Sequence, residues 1–338
     1  MDLILHIGLP KTGTTTIQWL VRDCPGYFAR DSSKLKKICR TRQGENWYRA
    51  AQRWSRDLQH KFQHRGMPYE TILLSSEAVF TTHPKAYRQK WPIFVRDLPH
   101  ETINRLRQPS AADYLQAIQK VWPHGQVKVL LTLRNQPDWL ASLYSQLSDR
   151  IKQASQADFE HEIRDLISRG DDYIDWSQKI DSIQNVVGAD NLQVLLLEDI
   201  HRPSYWENFA RFTGINDSID PDQIASRHTE HKNARQVKSL TWRLRPLRHT
   251  TPNLNHAYIA LRNLEGPSAR LRVEGMLTQT YRGLIDSLFR LRVTKQARQA
   301  GEINMHPELG ALIRDYCQPF NKRLADHLQR NDLAELGY

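Results

Sequence analysis

The chain has 338 residues, of which 39% are hydrophobic and 25% charged, a balance that excludes a disordered chain. Its formal charge of +11 points to polyanionic partners: nucleotides, nucleic acid, acidic glycans or anionic membranes. Cys24, Cys39 and Cys317 form no C-x-x-C pair, which argues against a disulfide scaffold or zinc site, and no apolar run approaches the roughly 20 residues of a membrane span.

The first predicted strand, Leu3–Ile7, begins almost at Met1. That start leaves no room for a signal peptide, so a cytoplasmic location is expected. The strand runs into Gly8-Leu9-Pro10-Lys11-Thr12-Gly13-Thr14-Thr15-Thr16, and a helical pattern over Thr14–Arg22 follows, apolar at Ile17 and Leu20. Glycines permit a tight turn whose N–H groups face inward, and a helix N-terminus adds free donors and partial positive charge. The segment is a candidate oxyanion cradle. Gly8 and Gly13 have the spacing of an ATP-type phosphate loop, but Thr14 stands where that loop carries lysine. The lysine is Lys11, inside the turn, where it sits against a nearer group such as the bridge between a 5′-phosphate and its cargo. The plainer alternative is a Gly/Thr-rich turn that only caps a helix.

Residues 25–66, rich in Arg, Lys, Gln and Trp, read as a polar insertion. The second predicted strand, Thr71–Leu74, leads to Ser75-Ser76-Glu77. A carboxylate at a strand's carboxyl end suits a general base; a first-turn glutamate beside capping serines is the alternative. The third strand, Val127–Leu133, ends in Arg134-Asn135-Gln136-Pro137-Asp138 and a helix over Pro137–Lys152. Pro137 suits a first helical turn and Asp138 complements its positive end. Ser142 lies further along, able to face back toward Arg134. An arginine fork joined by a serine suits a terminal phosphate, although a lone arginine also serves as a structural ion-pair partner.

A fourth strand, Leu192–Leu197, precedes Glu198 and Asp199. The order predicts an α/β fold: a P-loop-like central parallel sheet flanked by helices, one domain over residues 1–338, with ligands at the strands' carboxyl ends. Residues 241–300 carry eleven Lys and Arg against three Asp and Glu. They read as a basic, mainly helical insertion and, with 25–66, as a candidate acceptor-binding element.

Pro10–Thr15 resembles the P-K-[ST]-G-T-T loop that binds the 5′-phosphosulfate in sulfotransferases. Arg134, Asn135, Asp138, Ser142 and Tyr144 resemble that family's R-[ND]-P-x-[DE]-x-x-x-S-x-Y element, with the proline one place late at Pro137 and Gln136 before it. The likeness is to PAPS-dependent sulfotransferases, most of all bacterial and carbohydrate ones (PAPS is 3′-phosphoadenosine-5′-phosphosulfate). It implies PAPS as donor, PAP as product and no metal. By the same resemblance Pro10, Lys11, Thr12, Gly13, Thr14, Thr15 and Thr16 hold the phosphosulfate, Arg134 and Ser142 the 3′-phosphate, and Lys11 and Glu77 are catalytic. His231–Arg235 resembles a loop that closes over the donor, making Lys232 and Arg235 candidate nucleotide contacts, with solvated surface charge as the alternative. Val194–Ile200, Trp206–Ile215, Asn321–Ala325 and Asp332–Tyr338 resemble later family segments, and the first of these implies that Glu198 and Asp199 are mainly structural. Thr16 occupies the position where small-molecule enzymes often place an adenine-stacking tryptophan, and Trp19 reads as core.

The reaction expected is sulfuryl transfer to a hydroxyl or amine, with a carbohydrate acceptor, acidic in view of the basic stretches. A small-molecule or lipid hydroxyl is the competing acceptor, with basic helices touching a membrane surface. An ATP-dependent small-molecule kinase is a further alternative. A nucleic-acid partner is not expected, since no recognition motif is present.

Overall fold

The computed structural model describes residues 2–9, 11–14, 16–17, 27–31, 52–53, 56, 60, 71–75, 111–122, 125–148, 151, 154–170, 172–215, 240–245 and 301–338. Five parallel strands form one sheet in the order β2-β3-β1-β4-β5: β1 Asp2–Gly8, β2 Tyr27–Asp31, β3 Thr71–Ser75, β4 Val127–Leu133 and β5 Leu192–Leu196. The helices are α1 Ala111–Val121, α2 Gln136–Leu147, α3 Gln156–Ser168, α4 Trp176–Val187, α5 Pro203–Thr213 and α6 Pro307–Leu328.

Strands buried on both faces need apolar residues at nearly every position, and side-chain alternation divides these between two cores. Leu3, Leu5, Ile7, Ile72, Leu74, Val129 and Leu131 pack on one face with α1, α2, α3, α4 and α6. Ile4, Leu73, Leu130 and Leu195 pack on the other with Ile17 and the Tyr205, Trp206 and Phe209 face of α5. The α/β class with a central parallel sheet is as the sequence predicts.

Three expectations change. Tyr27–Asp31, inside the segment read as a polar insertion, is the edge strand β2, paired in parallel with β3 from Tyr27↔Thr71 to Asp31↔Ser75. Its five residues, with Arg30 and Asp31 among them, carry too little apolar signal to be read as a strand. Thr241–Arg243, placed in the basic helical insertion, is strand β6, antiparallel to β7 Glu302–Asn304, with Trp242 buried; residues 246–300 of that insertion lie outside the described residues. Helix α2 ends at Leu147, not Lys152. Ser148 is the C-cap: its Oγ donates back to Ser145 O at 2.8 Å and accepts from the Arg245 N–H. Among the described residues, no helix is long and apolar enough to cross a membrane.

Candidate active site

β1 and β4 are hydrogen-bonded neighbours, and Gly8 pairs with Thr132. The loop leaving β1 and the Arg134 turn leaving β4 therefore emerge side by side, where ligands of parallel α/β sheets bind. The strand-to-helix turn follows from its backbone. Gly13 adopts φ 79°, a left-handed conformation that suits glycine, and its carbonyl accepts from Thr16 N at 3.0 Å, starting the next helix. Gly8 is required by space: a Cβ there would meet Thr14 Cγ2 at 2.1 Å and Thr132 Oγ1 at 2.7 Å.

Lys11 also lies in the left-handed region, at φ 71°. A long L side chain there costs about 1–2 kcal/mol, and such residues concentrate at functional turns. Thr12 and Thr14 are buried, whereas Lys11, Gly13 and Thr16 retain partial exposure. Of the predicted cradle, Lys11, Thr12, Gly13, Thr14 and Thr16 come together in one turn; Pro10 and Thr15 lie outside the described residues.

On the β4 side, Asn135 caps α2 by accepting from Asp138 N at 2.9 Å, and Pro137 sits in the first turn. Arg134 Nη2 pairs with Asp138 Oδ2 at 3.0 Å, so the ion-pair role weighed from sequence is present. The guanidinium has five N–H donors, and this contact occupies one edge of the fork. Arg134, Asp138 and Ser142 follow at intervals of four, and all three are half-buried while the positions between them are buried. Asp138 and Ser142 share one face of α2, and Arg134, which precedes the helix N-cap, reaches that face through its ion pair with Asp138. Tyr144 is a packing element: its hydroxyl donates to Asp158 Oδ2 at 2.7 Å, and desolvation, then this carboxylate, pushes the phenol above its ordinary range.

Asn135 also anchors the turn from behind. Its backbone N–H and its Nδ2 both donate to Glu198 Oε1 at 2.9 Å, and Tyr338 Oη donates to Glu198 Oε2 at 3.1 Å. Desolvation raises the Glu198 pKa, opposed by these donors and by the Arg134 charge. Asp199 pairs with Arg330 and Arg202. Both acids have the structural surroundings expected of them.

Some features escaped the sequence reading. Gln136, which displaces the family-like proline by one place, is fully buried and its Nε2 donates to Asn321 Oδ1 at 2.7 Å. Beneath the loop, His6, Ser75, Thr132 and Thr12 form a buried polar row. A signal existed: on the sheet face carrying Ile4, Leu73 and Leu130, the next position of each strand is His6, Ser75 and Thr132. Three neighbouring strands thus turn polar toward their carboxyl ends, His6 level with Ser75 and Thr132 two residues further along. Glu77, Lys232 and Arg235 lie outside the described residues, and β3 ends two residues before Glu77.

Solved structures similar to this chain include the following two. One is a sulfotransferase from Alicyclobacillus acidocaldarius, at 14% identity and TM-score 0.38, covering 67% of this chain and 89% of that one. The other is sulfotransferase STF9 from Mycobacterium avium, at 14% identity and TM-score 0.34, covering 68% of each chain. No protein-family model and no curated protein matches the sequence.

Proposed function

We propose that the chain is a sulfotransferase that transfers the sulfuryl group of PAPS to a hydroxyl or amine acceptor. The observation that carries this reading is the pairing of Gly8 with Thr132, which sets the Lys11 turn and the Arg134 turn at adjacent strand ends. One turn offers a lysine, threonine hydroxyls and helix-start N–H groups for a phosphosulfate. The other offers an arginine just before α2 and a serine within it for a second, separate phosphate. PAPS carries anionic groups at both its 5′ and 3′ positions; ADP lacks the 3′-phosphate. A kinase reading gains no support from the loop, because Thr14 replaces the lysine that would reach a triphosphate.

In this proposal the acceptor oxygen attacks sulfur in line with the bond to the 5′-phosphate, and that sulfur–oxygen bond breaks. Negative charge grows on the bridging oxygen, where Lys11 and the loop N–H groups stabilise it. Glu77 takes the acceptor proton. The products are the sulfated acceptor and PAP. Lys232 and Arg235 are proposed donor contacts. Basic residues in 241–300 and at Lys34–Arg42 favour an acidic carbohydrate acceptor; a lipid hydroxyl at an anionic membrane is the competing acceptor.

Thermal shift with PAP, ADP and ATP–Mg tests the donor assignment. PAP is expected to stabilise the protein far more than ADP at equal concentration. Stabilisation by ATP–Mg with no response to PAP would replace this reading with a kinase one.

A further inference from the structure

Hydroxyl groups carry one proton each, and that rule fixes the direction of the buried polar row under the loop. Thr12 Oγ1 donates to the Leu9 carbonyl at 2.6 Å, since a carbonyl only accepts. Thr12 therefore has no proton left for Thr132, and the 2.8 Å contact between their hydroxyls runs from Thr132 to Thr12. Thr132 has then used its own proton, so His6 Nε2, 3.3 Å away, is the donor to Thr132. A neutral imidazole with Nε2–H presents Nδ1 as an acceptor, and Ser75 Oγ, 2.9 Å from Nδ1, donates to it.

We propose that His6 is a positioning residue: as the neutral Nε2–H tautomer it ties the carboxyl ends of β3, β1 and β4 to the phosphate loop through Thr132 and Thr12. His6, Thr12 and Thr132 are each fully buried, and Ser75 is 1% exposed, so every bond in the row forms away from water. Removing a member leaves a buried donor or acceptor unpaired. The row is a brace and not a proton conduit, because it terminates on a carbonyl oxygen that takes up no proton. Both nitrogens of the ring meet hydroxyls, and burial alone holds the imidazole neutral, with its pKa pushed down to about 3. Thr12 and Leu9 are the loop residues fastened by this row, on either side of Pro10 and Lys11, so the brace acts on the turn that presents the lysine.

The test uses the full chain labelled with ¹⁵N-histidine, the His6 signal being assigned by its absence from His6→Gln. The expected spectrum shows a proton on Nε2, none on Nδ1, and no change between about pH 5 and 8, where ordinary histidines titrate. A proton on Nδ1, or an imidazolium in that range, would overturn the proposal. PAP affinity supplies the second readout and rests on the sulfotransferase reading. Thr132→Val cuts the row between His6 and the loop at nearly constant volume and is expected to weaken PAP binding about tenfold. His6→Gln, with one acceptor and one donor, is expected to retain more affinity than His6→Phe. Wild-type affinity in both Thr132→Val and His6→Phe would overturn the positioning role even with the expected tautomer. If the wild-type protein binds no PAP, the donor assignment fails, and the tautomer with its pH response still decides the wiring of His6. A His6→Phe variant that does not fold leaves Thr132→Val to decide the loop contact.

Discussion

Gln136 and Asn321 stand 185 residues apart and share a buried amide pair, Gln136 Nε2 donating to Asn321 Oδ1 at 2.7 Å. The bond joins the first turn of α2 to α6 directly behind Arg134 and Asn135. Gln136→Leu or Asn321→Leu alone strands a buried amide and is expected to cost about 1–3 kcal/mol in urea unfolding. The double variant is expected to cost less than the two singles together, by about 1 kcal/mol. Strict additivity would show that the two amides do not act as a unit.

Gly8 has no room for a side chain. A Cβ placed 2.1 Å from Thr14 Cγ2 forces β1, the loop and β4 apart. Gly8→Ala is expected to destabilise the protein by about 1–3 kcal/mol and to abolish PAP-induced thermal stabilisation. Gly301→Ala is the matched control, since its Cβ would lie 3.7 Å from Leu244 Cδ1, an ordinary contact. It is expected to shift the midpoint little and leave the PAP response intact. Equal behaviour of the two variants would contradict the packing argument.

Most of the sheet was legible because its central strands are buried on both faces and carry continuous apolar runs; Val127–Leu133 is predicted and found with the same ends. Edge strand β2 was not, since an edge strand needs less burial and Tyr27–Asp31 shows no run. The tight turn after β1 was legible from Gly8 and Gly13, whose conformations are set by local backbone. Gln136 looked like a mere departure from a pattern, because its partner lies far along the chain and nothing local announces it. Tyr338 is similar: its hydroxyl reaches Glu198 only after the fold closes. Long-range polar pairs of this kind leave no periodic trace in sequence.

Lys11 combines a strained backbone with a charge at the loop. Lys11→Ala keeps the strain and removes the charge, and turnover is expected to fall by about two to three orders of magnitude. Lys11→Gly removes both, so it is expected to be about 1 kcal/mol more stable than Lys11→Ala while equally slow. Sulfate transfer from PAPS, read beside urea midpoints, checks both statements. Near-normal turnover in either variant would exclude Lys11 from the chemistry.

The buried imidazole of His6 gives the protein a defined response to acid. Its pKa is depressed from 6.5 to about 3 in the fold, with burial as the cause. The unfolded chain therefore binds one more proton than the native protein between those values, and stability rises with pH across that window. The contribution is complete above the unfolded value and is lost as pH falls from 6.5 toward 3. Between pH 7 and pH 5 the loss attributable to His6 is about 2 kcal/mol, near 1.4 kcal/mol for each pH unit once protonation of the unfolded side chain is established. Other groups titrate too, Asp332 among them: its pKa is lowered by Arg330, so its contribution disappears at more acid pH, below its ordinary 3.8. The difference between wild type and His6→Gln cancels those shared terms. Urea unfolding at pH 7, 6 and 5 is expected to show a steeper fall for wild type than for His6→Gln. Parallel slopes would mean that His6 reaches solvent and takes up its proton in the folded protein, which the buried row of hydroxyls forbids.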